Sequence, residues 1–226
     1  MKTFFIATSF LVGTLGWAQT PARPDITGYW ELGFDSASVP PASLVQPVTP
    51  AIEREQMRHD AEWIRYCVPL GMPYILSQSP LDIRQSPTVT AMVSRVPSST
   101  RYVFTDGRKH PEKEDLDPTS NGHSIGRWEG DAFVVDTIGF NDRGVSRLPG
   151  GGVRTPDSHL TERYRLMDNG NRLSVTLTWE DPKVFQKPHT YEYRYYRIPK
   201  ITGARVLPCD TGDQERAKFL MSAFGN

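Results

Sequence analysis

The sequence predicts an all-β fold, a single antiparallel barrel with one covering helix. Three observations carry this. Apolar and polar residues alternate with period two along most of the chain, two segments have the turn chemistry of tight hairpins, and only one segment has a convincing helix start. Gly28-Tyr29-Trp30-Glu31-Leu32 opens the first strand after a polar, Pro-rich start. A Pro/Ser/Ala loop over 35–48 leads to Thr49-Pro50, where Thr suits the N-cap, Pro the first helical position and Glu53 the first turn. The helix is expected over 50–66, its imperfect stripe of Ile52, Met57, Trp63, Ile64 and Tyr66 laid across an open end of the sheet. Further strands are expected at 82–86, 89–96, 100–105, 122–128, 132–138, 159–167, 172–179 and 190–198, eight or so in the barrel, and a short terminal helix at Gln214 to Phe224.

Residues 1–18 are read as an export signal outside the fold, and 19–226 as one domain. Lys2 gives a positive start, Phe4 to Leu15 an apolar run, and Gly16-Trp17-Ala18 small residues at the −3 and −1 sites. That run is shorter than the ~20 residues of a membrane span. Cleavage after Ala18 leaves a soluble periplasmic or secreted chain. In an oxidising compartment the two cysteines, Cys67 and Cys209, are expected to form a disulfide. Loss of Lys2 takes the 26 basic residues to 25 against 26 acidic, so no nucleic-acid or anionic-membrane partner is indicated.

The richest segment is Asn121 to Phe140, NGHSIGRWEGDAFVVDTIGF. It reads as a hairpin turning at Glu129-Gly130 or Gly130-Asp131, because Gly tolerates the positive φ that tight turns need. In either register His123, Ile125, Arg127, Ala132, Val134, Asp136 and Ile138 share one face, and Ser124, Gly126, Trp128, Phe133, Val135 and Thr137 the other. A base, a cation and a carboxylate therefore stand on one ribbon face. Asn169-Gly170 marks the second hairpin, a type I′ candidate that pairs Leu166 with Leu173, Tyr164 with Val175, Glu162 with Leu177 and Leu160 with Trp179. Leu173, Val175, Leu177 and Trp179 face the core, so Glu162 points inward and His159, Thr161 and Arg163 outward. An inward carboxylate is either a structural pair with Arg95, Arg101 or Arg127, or a general acid or base in a cavity.

Acid–base catalysis is assigned to Glu162, His123 and Asp136, with Arg127, His110, His159 and Tyr164 as substrate-binding candidates. His123, Arg127, Asp136 and Glu162 are expected to converge on one internal cavity. The competing arrangement turns Trp128, Phe133 and Val135 inward and His123 to water. His59 and His189 are expected at the surface. No organic cofactor is indicated, since no dinucleotide or phosphate loop is present. His110, His123 and His159 with Asp136 or Glu162 supply donors for a divalent metal, yet no H-x-H or H-E-x-x-H spacing supports one. Nucleophilic hydrolysis lacks a G-x-S-x-G motif.

DGRKHP at 106–111, GHSIGRWEGDAFVVDTIGFND at 122–142, SHLTERYR at 158–165 and WEDPKVFQKP at 179–188 together resemble a family of uncharacterised exported bacterial proteins. Its pattern runs DGRxHP, GHSIGxWEGDTLVVDTxGF, LHxxERF and a later DPxxY/F, and Ala132 stands here where Thr is usual. The resemblance spans nearly the whole mature chain and implies a shared fold rather than an activity. Gly28-Tyr29-Trp30 is also similar to the G-x-W of lipocalin-type (calycin) barrels, which implies ligand binding at a barrel mouth. Two functions follow as expectations. One is an exported acid–base enzyme (lyase, isomerase or hydrolase) acting on a small organic molecule. The other is a non-catalytic exported binding protein for an apolar or aromatic ligand.

Overall fold

The computed structural model describes residues 23–36, 38–65, 68, 70–77, 80–95 and 98–199. The expected leader, Cys67, Cys209 and the helix at Gln214 to Phe224 lie outside them. The nine strands are β1 (Gly28–Leu32), β2 (Leu81–Gln85), β3 (Val89–Arg95), β4 (Ser98–Phe104), β5 (His123–Glu129), β6 (Ala132–Ile138), β7 (His159–Met167), β8 (Arg172–Glu180) and β9 (His189–Ile198). They pair in sequence order into a closed barrel, as β1 lies between β2 (Tyr29 opposite Asp82) and β9 (Tyr29 opposite Ile198). Every pairing is antiparallel except β4–β5, a parallel step of two pairs, Val103–Ser124 and Phe104–Ile125. A parallel neighbour needs a long return connection, and 105–122 supplies it.

Both hairpins follow from their turns. Glu129 pairs with Ala132, so the loop is Gly130-Asp131, with Gly130 at φ 62°. At the second turn the Asn171 N–H donates to Asp168 O, and Asn169 and Gly170 carry the positive φ of a type I′ turn. The four pairs counted back from Asn169-Gly170 are all present.

The core fills the barrel with Trp30, Phe133, Leu160, Tyr164, Trp179 and Tyr195, all fully buried. Along β9, Tyr191, Tyr193 and Tyr195 alternate inward and stack edge to face. Where β1 meets β9, the Arg197 guanidinium lies 4.2 Å over the Trp30 ring and donates to the Thr27 and Gly170 carbonyls.

Among the described residues there is one helix of length, α1 (Pro50–Arg65), which begins where Thr49 Oγ1 accepts the Ile52 N–H. Of its expected apolar stripe, Ile52 is exposed and Met57 half-buried, the side chains of Trp63, Ile64 and Tyr66 lie outside the description, and the described anchor is a polar one. Asp60, buried, accepts from the Ser146 backbone at 3.1 Å and Arg147 Nε at 2.7 Å. A single-turn helix, α2 (Tyr74–Ser77), buries Ile75 and Leu76, and the Tyr195 hydroxyl donates to Leu76 O.

Arg154 gathers the loops at one end of the barrel. Only 2% exposed, it donates to the carbonyls of Met72, Ser120, Asn141 and Arg143. Burial lowers its guanidinium to about 10, against the opposing pull of Asp60, Tyr74 and Asp142. Arg154→Met keeps the aliphatic stem and takes the guanidinium donor from the Met72, Asn141 and Arg143 carbonyls, while Ser120 O keeps the Met72 N–H. Since a buried unpaired polar group costs ~1–3 kcal/mol, urea unfolding should show a loss of about 3 kcal/mol or more. A loss under about 1 kcal/mol would mean that these loops hold together without it.

Candidate functional site

The 123–138 ribbon places its chemistry outside the barrel, not inside. Ser124, Phe133, Val135 and Thr137 are buried and face the interior, while Arg127 is exposed and His123 and Asp136 are half-buried on the outer wall. The adjoining strand decides this orientation. Val135 stands opposite Glu162 and Asp136 opposite Thr161, so Glu162 and Asp136 belong to opposite faces. The expected convergence of His123, Arg127, Asp136 and Glu162 on one internal cavity is therefore corrected, in favour of the competing arrangement.

Inside, Glu162 has no exposure and forms a two-pronged ion pair with Arg101: Nη1 donates to Oε1 at 2.9 Å and Nη2 to Oε2 at 2.5 Å. Arg101 also donates to Ser124 Oγ and Thr137 Oγ1, and the Tyr164 hydroxyl donates to Glu162 Oε1 at 2.6 Å. Burial would strip the Arg101 charge, but the Glu162 carboxylate beside it outweighs that and raises its pKa. Burial and the same carboxylate push the Tyr164 phenol far up. This interior cluster satisfies its own hydrogen bonds, which corrects the substrate-binding expectation for Tyr164 and identifies Arg101 as the partner of Glu162.

Outside, the long β4–β5 connection brings His110 back over the barrel wall. His110 Nδ1 lies 2.8 Å from His123 Nδ1, His110 Nε2 lies 2.8 Å from Asp136 Oδ1, and His159 Nε2 lies 2.8 Å from Asp136 Oδ2. His159 Nδ1 continues the chain to Glu180 Oε2 at 3.4 Å. Five groups from the connection, β5, β6, β7 and β8 thus form one line. Sequence spacing does not show it, because His110 lies on a loop whose path depends on the parallel step. Arg127 stands apart, bonded to Glu129, which it shares with Arg163. His189, expected at the surface, is buried against Phe185 and Tyr191, its Nε2 on the Pro149 carbonyl.

The protons follow from the acceptors. Burial pushes the Asp136 carboxyl up, but hydrogen bonds from His159 and His110 outweigh it and hold it below the usual range. An ionised carboxylate only accepts, so both facing Nε2 atoms carry hydrogens. Between His110 Nδ1 and His123 Nδ1 one hydrogen is shared, and in the tautomer where His123 donates it His110 Nδ1 is the acceptor. The lone pair of His123 is left on Nε2, which has no hydrogen-bond partner among the described residues. Burial, then the neighbouring His110 and Arg108, lower the His123 pKa. His159 shifts the other way: the Asp136 hydrogen bond raises it against burial, with help from Glu180. The line thus favours the uncharged form at its His123 end and the charged form at its His159 end.

All three rings cannot meet on one ion while His110 turns opposite nitrogens to His123 and Asp136, and among the described residues no His/Cys/Asp/Glu group has a metal-holding arrangement.

Fold and site together define a closed nine-stranded barrel with a histidine–aspartate line on its outer wall. In comparisons with known proteins, no family model and no curated protein matches this chain.

Proposed function

We propose that this chain is an exported enzyme that moves protons on a small organic molecule, with His123 Nε2 as the base. The observation that carries the reading is the hydrogen-bonded line Asp136–His110–His123, in which a carboxylate fixes one imidazole and that imidazole fixes the next. Such an arrangement selects the tautomer that leaves a ring nitrogen unprotonated, and a positioned base of this kind contributes ~10²–10⁴ in rate. Export rests on the character of residues 1–18, and the likeness to exported bacterial proteins supports it.

A nitrobenzisoxazole tests this directly. A base removes its ring C–H proton, the electron pair closes the nitrile, the N–O bond breaks, and a coloured cyanonitrophenolate is released. Wild-type protein should accelerate the reaction, with a rate that rises with pH as His123 loses its proton and a midpoint below 6.5. His123→Ala should abolish the acceleration while leaving the circular dichroism spectrum unchanged. Equal rates for the two proteins would end the proposal.

The binding-protein alternative draws support from a different place. A groove of about 530 Å³ lies between the Pro-rich loop and the Gly150-Gly151 turn, lined by Pro41, Ala42, Leu44, Val45, Pro47 and Val48. Its apolar walls suit an apolar ligand. On that reading His123→Ala leaves function intact.

A further inference from the structure

We infer that Tyr102 is the stacking platform of this site and that the substrate carries a planar, aromatic group; this rests on the reading of His123 as base. The barrel register puts the two side by side. Val103 and Ser124 pair across the β4–β5 step and are both buried, so the preceding residues, Tyr102 and His123, lie at the same level on the outer wall. The row across that wall runs Arg84, Ala91, Tyr102, His123, Ile138, with Arg84–Ala91, Ala91–Tyr102 and His123–Ile138 as register partners. On one side of Tyr102 stands the small Ala91, and on the other the base.

Tyr102 is 57% exposed, the most exposed large apolar side chain on any of the nine strands. Its neighbours in kind are all engaged. Phe104 stacks on His123, ring centres 5.4 Å apart, and takes the Arg108 guanidinium at 3.9 Å. Arg108 in turn is clamped by both carboxylate oxygens of Asp106, its Nε donating to Oδ1 and its Nη2 to Oδ2. Tyr29 carries Arg84 and Tyr196 carries Arg172. Tyr102 has no ring, cation or hydrogen-bond partner among the described residues. An aromatic ring left open beside a base, with the methyl group of Ala91 on its other flank, presents its π-face to a flat ligand, and stacking on such a ring favours planar groups whatever their substituents.

The test separates binding from chemistry. Indazole, a planar bicycle that does not undergo the elimination, is titrated into the full-length protein and followed by the NMR signals of residues 100–104 and 123–125. Wild type and Tyr102→Phe should bind alike, and Tyr102→Ala about tenfold more weakly. In the elimination assay Tyr102→Ala should raise KM by a similar factor and leave kcat within about twofold, with the midpoint of the pH profile unmoved. Indazole binding that is equal in Tyr102→Ala and wild type overturns the platform, even where His123→Ala abolishes turnover. If turnover instead survives His123→Ala while indazole binding still depends on Tyr102, the base assignment fails and the platform stands.

Discussion

Glu162→Ala is expected to cost about 3–5 kcal/mol of stability, the cost of leaving one partner of a buried ion pair without the other. Arg101 would keep its charge at 1% exposure with only Ser124 and Thr137 left to accept from it, and the Tyr164 hydroxyl would lose its carboxylate. Arg101→Met should cost a similar amount by stranding the anion. The double variant Arg101→Met/Glu162→Leu should be more stable than either single one, because it buries no unpaired charge. Urea unfolding of the four proteins measures this. Single losses below about 1 kcal/mol would show that the pair is not what holds the interior together. Elimination activity per folded molecule should be unchanged in Glu162→Gln, since Glu162 and the histidine line lie on opposite faces of the wall.

Asp136→Asn should have the largest effect on chemistry, a fall of about 10²–10⁴ in the elimination rate with the fold retained. Asp136 is 27% exposed, so the amide exacts no large burial cost. Its NH₂ group, however, donates where the carboxylate accepted, so it can no longer hold both His110 Nε2–H and His159 Nε2–H. The ring of His110 is then free to present the wrong tautomer to His123. Stability gives a second readout. The folded pKa of His159 is raised above 6.5, so its pair with Asp136 contributes fully below 6.5 and fades as pH climbs through the raised value. The depressed Asp136 carboxyl contributes above 3.8 and loses its share only as pH falls through its folded value. Asp136→Asn should remove the His159-linked decline on the alkaline side of 6.5. A variant with wild-type rate and an unaltered stability profile would show that the line does nothing.

The barrel was legible because local chemistry fixes hairpins. Gly130 and Asn169-Gly170 set two turns, and alternation then fixed which residues pair and which share a face. Which face turns inward was not legible for the 123–138 ribbon, because apolar residues occur on both. Ile125, Ala132, Val134 and Ile138 on one side match Trp128, Phe133 and Val135 on the other. The β6–β7 register settles it, through Val135 opposite Glu162, and that pairing spans a loop of twenty residues whose length says nothing about alignment. Arg101 stood among three arginines, and choosing it requires knowing that β4 meets β5 in parallel. His189 read as a surface residue, and nothing in the sequence singled out Arg154. Their burial depends on turns of backbone, Pro149 for one and four carbonyls for the other, that no periodicity encodes.

Closure of the wall between β1 and β9 has a consequence for chain order. Tyr29 opposite Ile198 places the two ends of the barrel within one strand spacing of each other, so the ring of strands has no first member in space. A circular permutant that joins Ile198 to Gly28 through a short flexible linker and opens at Gly130-Asp131 would keep every ladder except the covalent link between β5 and β6. It would also place the β4–β5 parallel step and its long return near the new end of the chain. The histidine line needs only the neighbourhood of the wall, not the order in which that wall is threaded, so it should reassemble in such a rearranged chain.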